Sequence, residues 1–283
     1  MNDILAVVIL YNPDRGLSQR IASYIDHISK LVVIDNSEPA VHWVSEELSV
    51  WKNKTQVIVN HSNKGIGQPL NVATRIALEE NYNWVLTMDQ DSTFQDGSFE
   101  ELRSVALQST PEVAIVAPFH LTPKASPPQS TERTKKIKLT MTSGNLLRTS
   151  AWKTAGPFEE KLFIDSVDHE YYLRLRKLGF TIIRANNAVL VHPLGEIQYS
   201  RFLFFKLKTT NHSALRRYYI TRNRLYVSFK YFFSDFWFFF RESRELIKSF
   251  FVVLLLDRDK RKKIRMMLRG VLDFMRGRYG RFQ

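Results

Sequence analysis

Residues 5–12 read Leu-Ala-Val-Val-Ile-Leu-Tyr-Asn, an unbroken apolar run that ends in two polar side chains. A continuous run rich in β-branched residues is typical of a strand buried on both faces of a parallel sheet. Similar runs recur through the first 120 residues, with amphipathic segments between them. The runs are Leu31–Ile34, Gln56–Val59, Trp84–Met88 and Val113–Ala117, and the amphipathic segments are Leu17–Ser29, Pro69–Glu80 and Ser98–Gln108. Strands that alternate with helices predict a doubly wound, mostly parallel α/β sheet flanked by helices.

The chain of 283 residues divides into two parts by charge and aromatic content. Residues 201–283 carry 21 Lys and Arg against 6 Asp and Glu, a net of +15, whereas the first 200 residues have a net of −2. The same tail holds 20 of the 36 aromatic side chains. A basic, aromatic tail behind a near-neutral body indicates two separate tasks. We therefore predict an α/β domain at 1–205 and a helical extension at 206–283.

Several classes of protein are excluded by what the sequence lacks. The absence of Cys excludes disulfide scaffolds, thiolate zinc sites and Cys nucleophiles. The sequence has no Gly-x-Ser-x-Gly elbow and no His-Glu-x-x-His, so serine hydrolases and zincins are excluded as well. The N-terminal apolar run is seven residues long and follows Asp3, so we expect no signal peptide and, with no 18-residue apolar window, no transmembrane helix.

Polar side chains stand where the predicted strands end, which is where open α/β sheets bind ligands. Asp89 and Asp91 follow the Trp84–Met88 run at positions i and i+2. Two such carboxylates can hold a divalent cation against a diphosphate, or they can cap a turn. Asp35 also follows a strand, where it can accept a hydrogen bond from a base or ribose, or form an Asx-turn. The loop Asn63–Pro69 can bring backbone N–H groups to a phosphate or simply begin a helix.

The second half contains further candidates. Residues 120–137 are rich in Pro, Lys, Ser and Thr, which predicts a surface loop. Asp165, Asp168 and Glu170 cluster at the start of the predicted helix Asp168–Leu178, where they can act as a general base or stabilise the helix dipole. His192 follows the predicted strand Ala188–Val191 and is either a Mn²⁺ or Mg²⁺ ligand or a structural histidine.

These motifs, in their order and spacing, resemble the inverting glycosyltransferases of family 2, which have the GT-A fold. The resemblance covers about residues 3–200. The motifs that carry it are Val7–Asn12, Val33–Ser37, Asn63–Gly65, Asp89–Ser92, Ser143–Asn145, Gly156–Phe158, Phe163–Asp165, Asp168–Tyr171, Leu173-Arg174 and His192–Gly195. The Asp-Gln-Asp-Ser form and the segment Tyr218–Asn223 are most similar to bacterial rhamnosyltransferases. The resemblance implies a nucleotide-binding half at about 1–120 and an acceptor half at about 138–205.

The resemblance also implies roles on the donor side. Tyr11 and Asp35 would contact the nucleotide base and ribose. Asn63 and Gly65 would line the same pocket. Asp89 would lie near the ribose and a Mn²⁺ or Mg²⁺ ion.

Other residues would complete the metal shell and take part in the reaction. Asp91 would bind the metal directly and His192 would complete its shell. Asp168 matches the catalytic base of the family. The family usually has a second acid nearby, for which Glu170 fits, while Asp165 is another acceptor-side candidate, together with Arg222.

The implied enzyme is a metal-dependent glycosyltransferase, with L-rhamnose from dTDP-rhamnose as the preferred donor sugar. We expect a lipid-linked glycan acceptor in bacterial cell-surface polysaccharide synthesis, at the cytoplasmic face of the inner membrane. The basic aromatic tail predicts contact with a membrane surface. Alternatively, its aromatic residues pack on the α/β body or on a twin subunit in a homo-oligomer, and its charges form a solvated face. Alternatives are another donor such as UDP-galactofuranose, a glycoside hydrolase that uses two carboxylates, or a noncatalytic membrane- or nucleic-acid-binding protein. Nucleic acid is disfavoured because the tail aromatics come in blocks.

Overall fold

The computed structural model describes residues 3–122, 131–192, 198–202, 205–209 and 211–283. Its strands are β1 Ile4–Leu10, β2 Lys30–Asp35, β3 Thr55–Val59, β4 Trp84–Asp89, β5 Thr93-Phe94, β6 Val113–Leu121, β7 Thr134–Ile137, β8 Asn145–Arg148, β9 Thr181–Val191, β10 Gln198–Phe202 and β11 Phe205–Thr209. Its α-helices are α1 Leu17–Ala22, α2 Trp43–Glu47, α3 Gly67–Glu79, α4 Ser98–Gln108, α5 Thr149–Ala155, α6 Val167–Lys177, α7 Ala214–Lys230, α8 Phe236–Leu255 and α9 Lys260–Met275.

One large sheet has the order β3-β2-β1-β4-β8-β6-β9-β5, and β7 pairs with β9. The strands β3, β2, β1 and β4 are parallel neighbours, whereas β8 runs antiparallel to both β4 and β6. The chain builds outward from β1 to β3 and then returns to place β4 on the other side of β1. Such a reversal of strand order opens a crevice at the carboxyl ends of the strands, and this crevice is where ligands bind.

The apolar runs of the first 120 residues form the predicted strands, and the predicted mostly parallel α/β architecture is confirmed. The strands β1, β2 and β4 are buried almost throughout, as continuous apolar runs require. Their side chains form one core with those of α1, α4 and the later strands.

Three local expectations need correction. The predicted surface loop at 120–137 is partly sheet, because β6 continues to Leu121 and Thr134–Ile137 pairs antiparallel with β9; its residues 123–130 lie outside the described residues. The runs Thr181–Arg184 and Ala188–Val191 form one strand, β9, whose pairing with β6 shifts register part-way. The predicted helix Leu17–Ser29 ends at Ala22 and is followed by a 3₁₀ turn at Ile25–His27.

The chain divides into two compact units. The first unit comprises Met1–Glu160 and Tyr171–Pro193, and the second comprises Lys161–Glu170 and Leu194–Gln283. The helix α6 belongs to both units, because its residues up to Glu170 are part of the second unit and those from Tyr171 are part of the first. In the second unit β10 and β11 form an antiparallel hairpin, and α7 packs on both α8 and α9.

Buried ion pairs hold the helices of the second unit together. The Arg217 guanidinium of α7 and the Lys263 ammonium of α9 both contact the Asp257 carboxylate, at 3.1 and 3.0 Å, and all three side chains are buried. The Tyr218 hydroxyl donates to Asp273 Oδ2 at 3.0 Å. Among the described residues, none of the helices combines the length and the apolar content that crossing a bilayer requires.

Candidate active site

The ends of β1 and β4 are joined by reciprocal hydrogen bonds at the reversal of strand order. The Tyr11 backbone N–H donates to Gln90 Oε1 at 2.8 Å, and Gln90 Nε2 donates to the Tyr11 carbonyl at 3.3 Å. Arg20 Nε donates to the Gln90 carbonyl at 2.6 Å. These bonds fix the Asp89–Ser92 turn and leave the Tyr11 side chain 48% exposed. The sequence alone does not predict a role for Gln90, which lies between the two candidate aspartates.

Asp89, Asp91 and His192 come together although His192 is a hundred residues from Asp91. Their ligand atoms all lie within 4.8 Å of one another. The cluster offers carboxylate oxygens and an imidazole nitrogen, which suits hard divalent cations such as Mg²⁺ and Mn²⁺. This structure therefore brings together the three residues that the sequence analysis assigned to a metal, and they could hold one ion.

Two buried serines connect the cluster to the sheet. The Asp89 backbone N–H donates to Ser143 Oγ at 3.0 Å, and Ser143 Oγ donates to Ser92 Oγ at 2.8 Å. Ser92 Oγ in turn lies 2.7 Å from His192 Nδ1. The same Nδ1 lies 3.9 Å from Asp91 Oδ1, so the contact with Ser92 sets the orientation of the imidazole beside this carboxylate. The sequence analysis gave neither serine a role, although Ser92 and Ser143 both lie within motifs that carried the resemblance.

A second histidine lies behind this chain of hydrogen bonds. His120 Nε2 is 2.7 Å from the Ser143 carbonyl. Burial lowers the pKa of His120 to about 4, and the hydrogen bond to the Ser143 carbonyl, which raises this pKa, offsets only part of the effect. His120 is therefore neutral at pH 7 and adds no positive charge beside the cluster.

Asp35 organises the loop that follows β2. Its two carboxylate oxygens accept hydrogen bonds from the backbone N–H groups of Ser37 and Val41, both at 2.8 Å. This is the Asx-turn that the sequence analysis weighed as an alternative to nucleotide contact. The two uses are compatible, because each carboxylate oxygen has a further lone pair.

The loop before α3 is tied to the end of β2 by amide side chains. Asn36 Nδ2 donates to the Gly65 carbonyl at 2.8 Å, and Asn60 Nδ2 donates to Asn36 Oδ1 at 2.7 Å. Gly65 has a φ of 76°, where glycine is favoured, and its N–H donates to Asn63 Oδ1 at 2.9 Å. Asn63 and Gly65 thus shape this loop through bonds to each other.

A groove of about 670 Å³ opens beside the ends of β1 and β2. It is lined by Asn12, Pro13, Glu46 and the segment Pro39–Trp43. The Arg15 guanidinium stacks over the Trp43 ring at 4.6 Å. A groove lined by both apolar and polar side chains is typical of a site for a small organic ligand.

The segment Phe163–Ser166, which we call the acid loop, leads into α6 in a strained conformation. Phe163, Asp165 and Ser166 have φ values of 67°, 62° and 66°, the left-handed region that residues other than glycine rarely adopt. Strain of this kind clusters at functional sites, where the surrounding structure enforces it.

Asn223 of α7 holds the acid loop in place. Its Nδ2 donates to the carbonyls of Leu162, Ile164 and Asp165 at 2.7, 2.7 and 3.0 Å. The adjacent Arg222 is buried, donates to the carbonyls of Leu162 and Gly280, and lies over the rings of three tyrosines. The Arg222-Asn223 pair, singled out from the sequence for its resemblance to rhamnosyltransferases, therefore supports the backbone of this loop.

The three acids of this region have different surroundings. Asp165 pairs with Arg216 at 3.3 Å, yet burial raises the pKa of its carboxyl and the Arg216 charge opposes the rise only in part. Glu170 is completely buried and accepts hydrogen bonds from Lys230 at 2.8 Å and from the Tyr231 hydroxyl at 2.9 Å. Asp168 is half-buried, and its Oδ1 accepts the His169 backbone N–H at 2.8 Å.

Comparison with known proteins assigns the chain to a family. The glycosyl transferase family 2 model matches residues 6–158, more than half of the chain. The chain belongs to glycosyl transferase family 2. This family 2 glycosyltransferase is 25% identical over 240 residues to the dTDP-rhamnosyl transferase RfbF of Shigella flexneri, covering 78% of each chain. The expected enzyme class is thereby confirmed.

Solved structures confirm the GT-A fold of this family 2 glycosyltransferase. Residues 1–349 of S. aureus TarS in complex with UDP-GlcNAc match with a TM-score of 0.65 at 14% identity, over 98% of this chain and 81% of that 1–349 chain. GalNAc-T7 with UDP, GalNAc and Mn²⁺ matches with a TM-score of 0.57 at 12% identity, over 68% of this chain and 43% of that one. At such identities the likeness concerns the fold alone.

Proposed function

We propose that this glycosyltransferase moves L-rhamnose from dTDP-rhamnose to a hydroxyl group, with inversion at the anomeric carbon and with a divalent cation. The observation that carries the proposal is the Asp89, Asp91 and His192 cluster at the carboxyl ends of the sheet strands. The similarity to a dTDP-rhamnosyl transferase supports the donor sugar. We extend the proposal to a lipid-linked glycan acceptor used in bacterial surface-polysaccharide synthesis at the cytoplasmic face of the inner membrane.

The donor nucleotide would be held by the first unit. The groove beside Asn12 and Trp43 has room for a pyrimidine base and its ribose. The half-exposed Tyr11 ring offers an apolar face, and the remaining lone pairs of Asp35 can accept from the base or ribose. Asn63 and Gly65 would complete this pocket.

The diphosphate would meet the acidic cluster. Asp91 is the most exposed of the three cluster residues and His192 is mostly buried, so Asp91 would be the ligand most accessible to the diphosphate and its ion. A bound Mn²⁺ or Mg²⁺ supplies neutralisation of the charge that develops on the departing nucleotide diphosphate.

Asp168 is our candidate for the general base. An acceptor hydroxyl has a pKa far above 7, so its proton must be removed as its oxygen attacks the anomeric carbon. Attack opposite the nucleotide inverts that carbon and needs no enzyme nucleophile. Glu170 is completely buried and its Oε1 accepts from both Lys230 and Tyr231, so we assign the second acidic role to Asp165 in preference to Glu170.

The proposal is tested by measuring thermal stability with a panel of nucleotide sugars and Mn²⁺. A ligand that binds the native state raises the melting temperature by mass action. We expect dTDP-rhamnose with Mn²⁺ to give the largest rise, and Asp91→Ala to lose that rise while its melting temperature without ligand stays near that of the wild type. Asp96→Asn, an exposed change outside the cluster, is the matched control.

Two results would contradict parts of this assignment. A larger rise with a UDP-sugar such as UDP-galactofuranose would replace the donor and keep the reaction. Full transfer activity in excess EDTA would remove the metal from the mechanism.

A further inference from the structure

The outer face of α8 has a composition that is unusual for a helix in water. Ten of its residues are exposed, of which seven are apolar and three are basic. The three basic side chains pair with Glu242 or Glu245 of the same helix. The exposed residues are Phe236, Trp237, Phe240, Arg241, Arg244, Ile247, Lys248, Phe251, Leu254 and Leu255. We call this set the α8 stripe. Contiguous apolar surface of this kind marks an interaction site on a soluble protein.

The α8 stripe is continuous along one side of the helix. Its members recur every three or four residues, which places them on one face over about 29 Å at 1.5 Å per residue. The opposite side supplies the buried residues Phe238, Glu242, Val252 and Val253. The stripe is therefore the outward face of a helix whose inner face is already packed.

The most exposed aromatic residues lie at the start of the stripe. Trp237 is 81% exposed, and Phe233 in the preceding turn is 99% exposed. Phe232 makes edge-to-face contacts with both Phe233 and Phe236. Rings of this kind bury well at the boundary between lipid headgroups and acyl chains.

The helix α9 repeats the composition with more charge. Its exposed residues are basic or apolar: Lys260, Arg261, Lys262, Arg265, Leu268, Arg269, Leu272 and Met275. Between the arginine side chains runs a groove of about 540 Å³ whose lining includes Ile264 and the leucines. Two helices of the second unit thus present the same pairing of apolar and basic groups.

We propose that the exposed faces of α8 and α9 bind the surface of an anionic lipid bilayer. The apolar residues of the α8 stripe enter the headgroup boundary, and the Lys and Arg side chains contact lipid phosphates. A second copy of this chain fits less well, because a symmetric contact would place like charges opposite each other. The lipid-binding surface depends on the proposed function only for its biological purpose, which is to bring the enzyme to a lipid-linked acceptor.

The test uses the full chain and co-sedimentation with vesicles. The probes are vesicles of mixed phosphatidylglycerol and phosphatidylcholine and vesicles of phosphatidylcholine alone, at low and high salt. The triple variant Trp237→Ser, Ile247→Ser, Phe251→Ser removes apolar groups that are exposed in the folded protein. We expect it to weaken binding to the anionic vesicles by about 100-fold, since three partly inserted side chains are lost.

Matched variants separate the stripe from general surface effects. Val50→Ser, Leu107→Ser, Leu178→Ser changes the same number of exposed apolar residues in the first unit and should bind vesicles as the wild type does. Arg244→Ser with Lys248→Ser should weaken binding to anionic vesicles by about 10- to 30-fold. The wild type should lose most of its binding at high salt.

Several results would overturn the proposal. They are an unchanged vesicle affinity of the stripe variant, equal losses in stripe and control variants, or equal binding of the wild type to neutral vesicles. A wild-type dimer that the stripe variant converts to a monomer would assign the stripe to self-association, and salt-sensitive binding of oligonucleotides in place of vesicles would assign it to nucleic acid. Donor-induced thermal stabilisation should survive in the stripe variant, and vesicle binding should survive in Asp91→Ala, so either proposal can fail without the other.

Discussion

At the residue scale, Asp165 and Asp168 lie three positions apart and meet different surroundings. Asp165 lies in the strained acid loop with one carboxylate oxygen, Oδ2, buried and unpaired among the described residues. Asp168 lies in the first turn of α6, and one of its carboxylate oxygens accepts the next backbone N–H. A half-buried carboxylate with an oxygen to spare suits proton transfer, whereas a buried, strained one suits the positioning of a neighbour.

Replacing Asp168 by Asn should reduce transfer by about 10²- to 10⁴-fold, because general-base catalysis is lost while the shape of the side chain is kept. Donor-induced thermal stabilisation should remain, since the donor residues lie elsewhere in the chain. Steady-state transfer assays beside a thermal-shift titration check both expectations. Near-normal turnover would reduce Asp168 to a helix-capping residue.

Replacing Asp165 by Asn should lower transfer and raise the melting temperature at pH 7 by roughly 2 °C. Burial raises the pKa of Asp165 above its usual 3.8, so near and above this pH the folded state binds more protons at this group than the unfolded state does. The ionisation of Asp165 therefore lowers the stability of the folded protein as the pH rises above 3.8. Asn also tolerates the left-handed backbone. Thermal unfolding at several pH values should show that the difference in melting temperature between the variant and the wild type grows above pH 3.8. A variant with a lower melting temperature than the wild type at pH 7 would contradict this account.

The sequence predicted the acids and the metal cluster better than the groups that hold them. Asp89, Asp91 and His192 could be proposed because they carry rare chemistry at the ends of strands. The roles of Gln90, Ser92 and Ser143 could not be predicted, nor could the role of Asn223, which stood out only within a segment of resemblance, because common polar residues acquire a role only from partners that folding brings near. Asn223, for example, serves carbonyls some sixty positions away.

At the element scale, α7 and α9 approach closely through one small residue. A Cβ built on Gly270 would lie 2.8 Å from the Tyr218 carbonyl oxygen and 3.3 Å from the Arg222 backbone nitrogen. Only a residue without a side chain allows this separation between the two helices.

Replacing Gly270 by Ala should destabilise the protein by about 1–3 kcal/mol, the usual cost of overpacking against a fixed backbone. The expected sign is informative, because Gly to Ala in an open helix position stabilises by up to about 1 kcal/mol. Leu268→Ala, at an exposed position of the same helix, should change stability little. Chemical denaturation of the three proteins would show whether the order holds.

Elements with a strong apolar period could be predicted from the sequence, and those defined by pairing could not. The strands β1, β2 and β4 are continuous apolar runs, and α4 has the predicted limits Ser98–Gln108. The strand β7, Thr134–Ile137, is largely exposed and basic in sequence and exists because β9 pairs with it. Such strands carry too little apolar signal to be found without their partners.

At the scale of the whole molecule, the basic tail is structural as well as exposed. Removing residues 258–283 would take away the partners of buried groups: Asp273 for Tyr218, Lys263 for Asp257, and Gly280 for Arg222. We expect this truncation to lose the cooperative fold of the second unit, measured as lower helix content by circular dichroism than the missing residues explain. A truncated protein with native-like helix content and melting temperature would contradict this expectation. Surface substitutions are therefore the better probes of the tail.

The chain of hydrogen bonds from Asp89 through Ser143 and Ser92 to His192 has a spectroscopic consequence. His192 Nδ1 lies 2.7 Å from Ser92 Oγ, and the imidazole is only 14% exposed. A proton carried on His192 Nδ1 in this bond is shielded from solvent and should give a downfield resonance in NMR spectra of protein labelled at histidine nitrogen. Paramagnetic broadening of that line by added Mn²⁺ would report on ion occupancy without any sugar donor, acceptor or enzymatic assay.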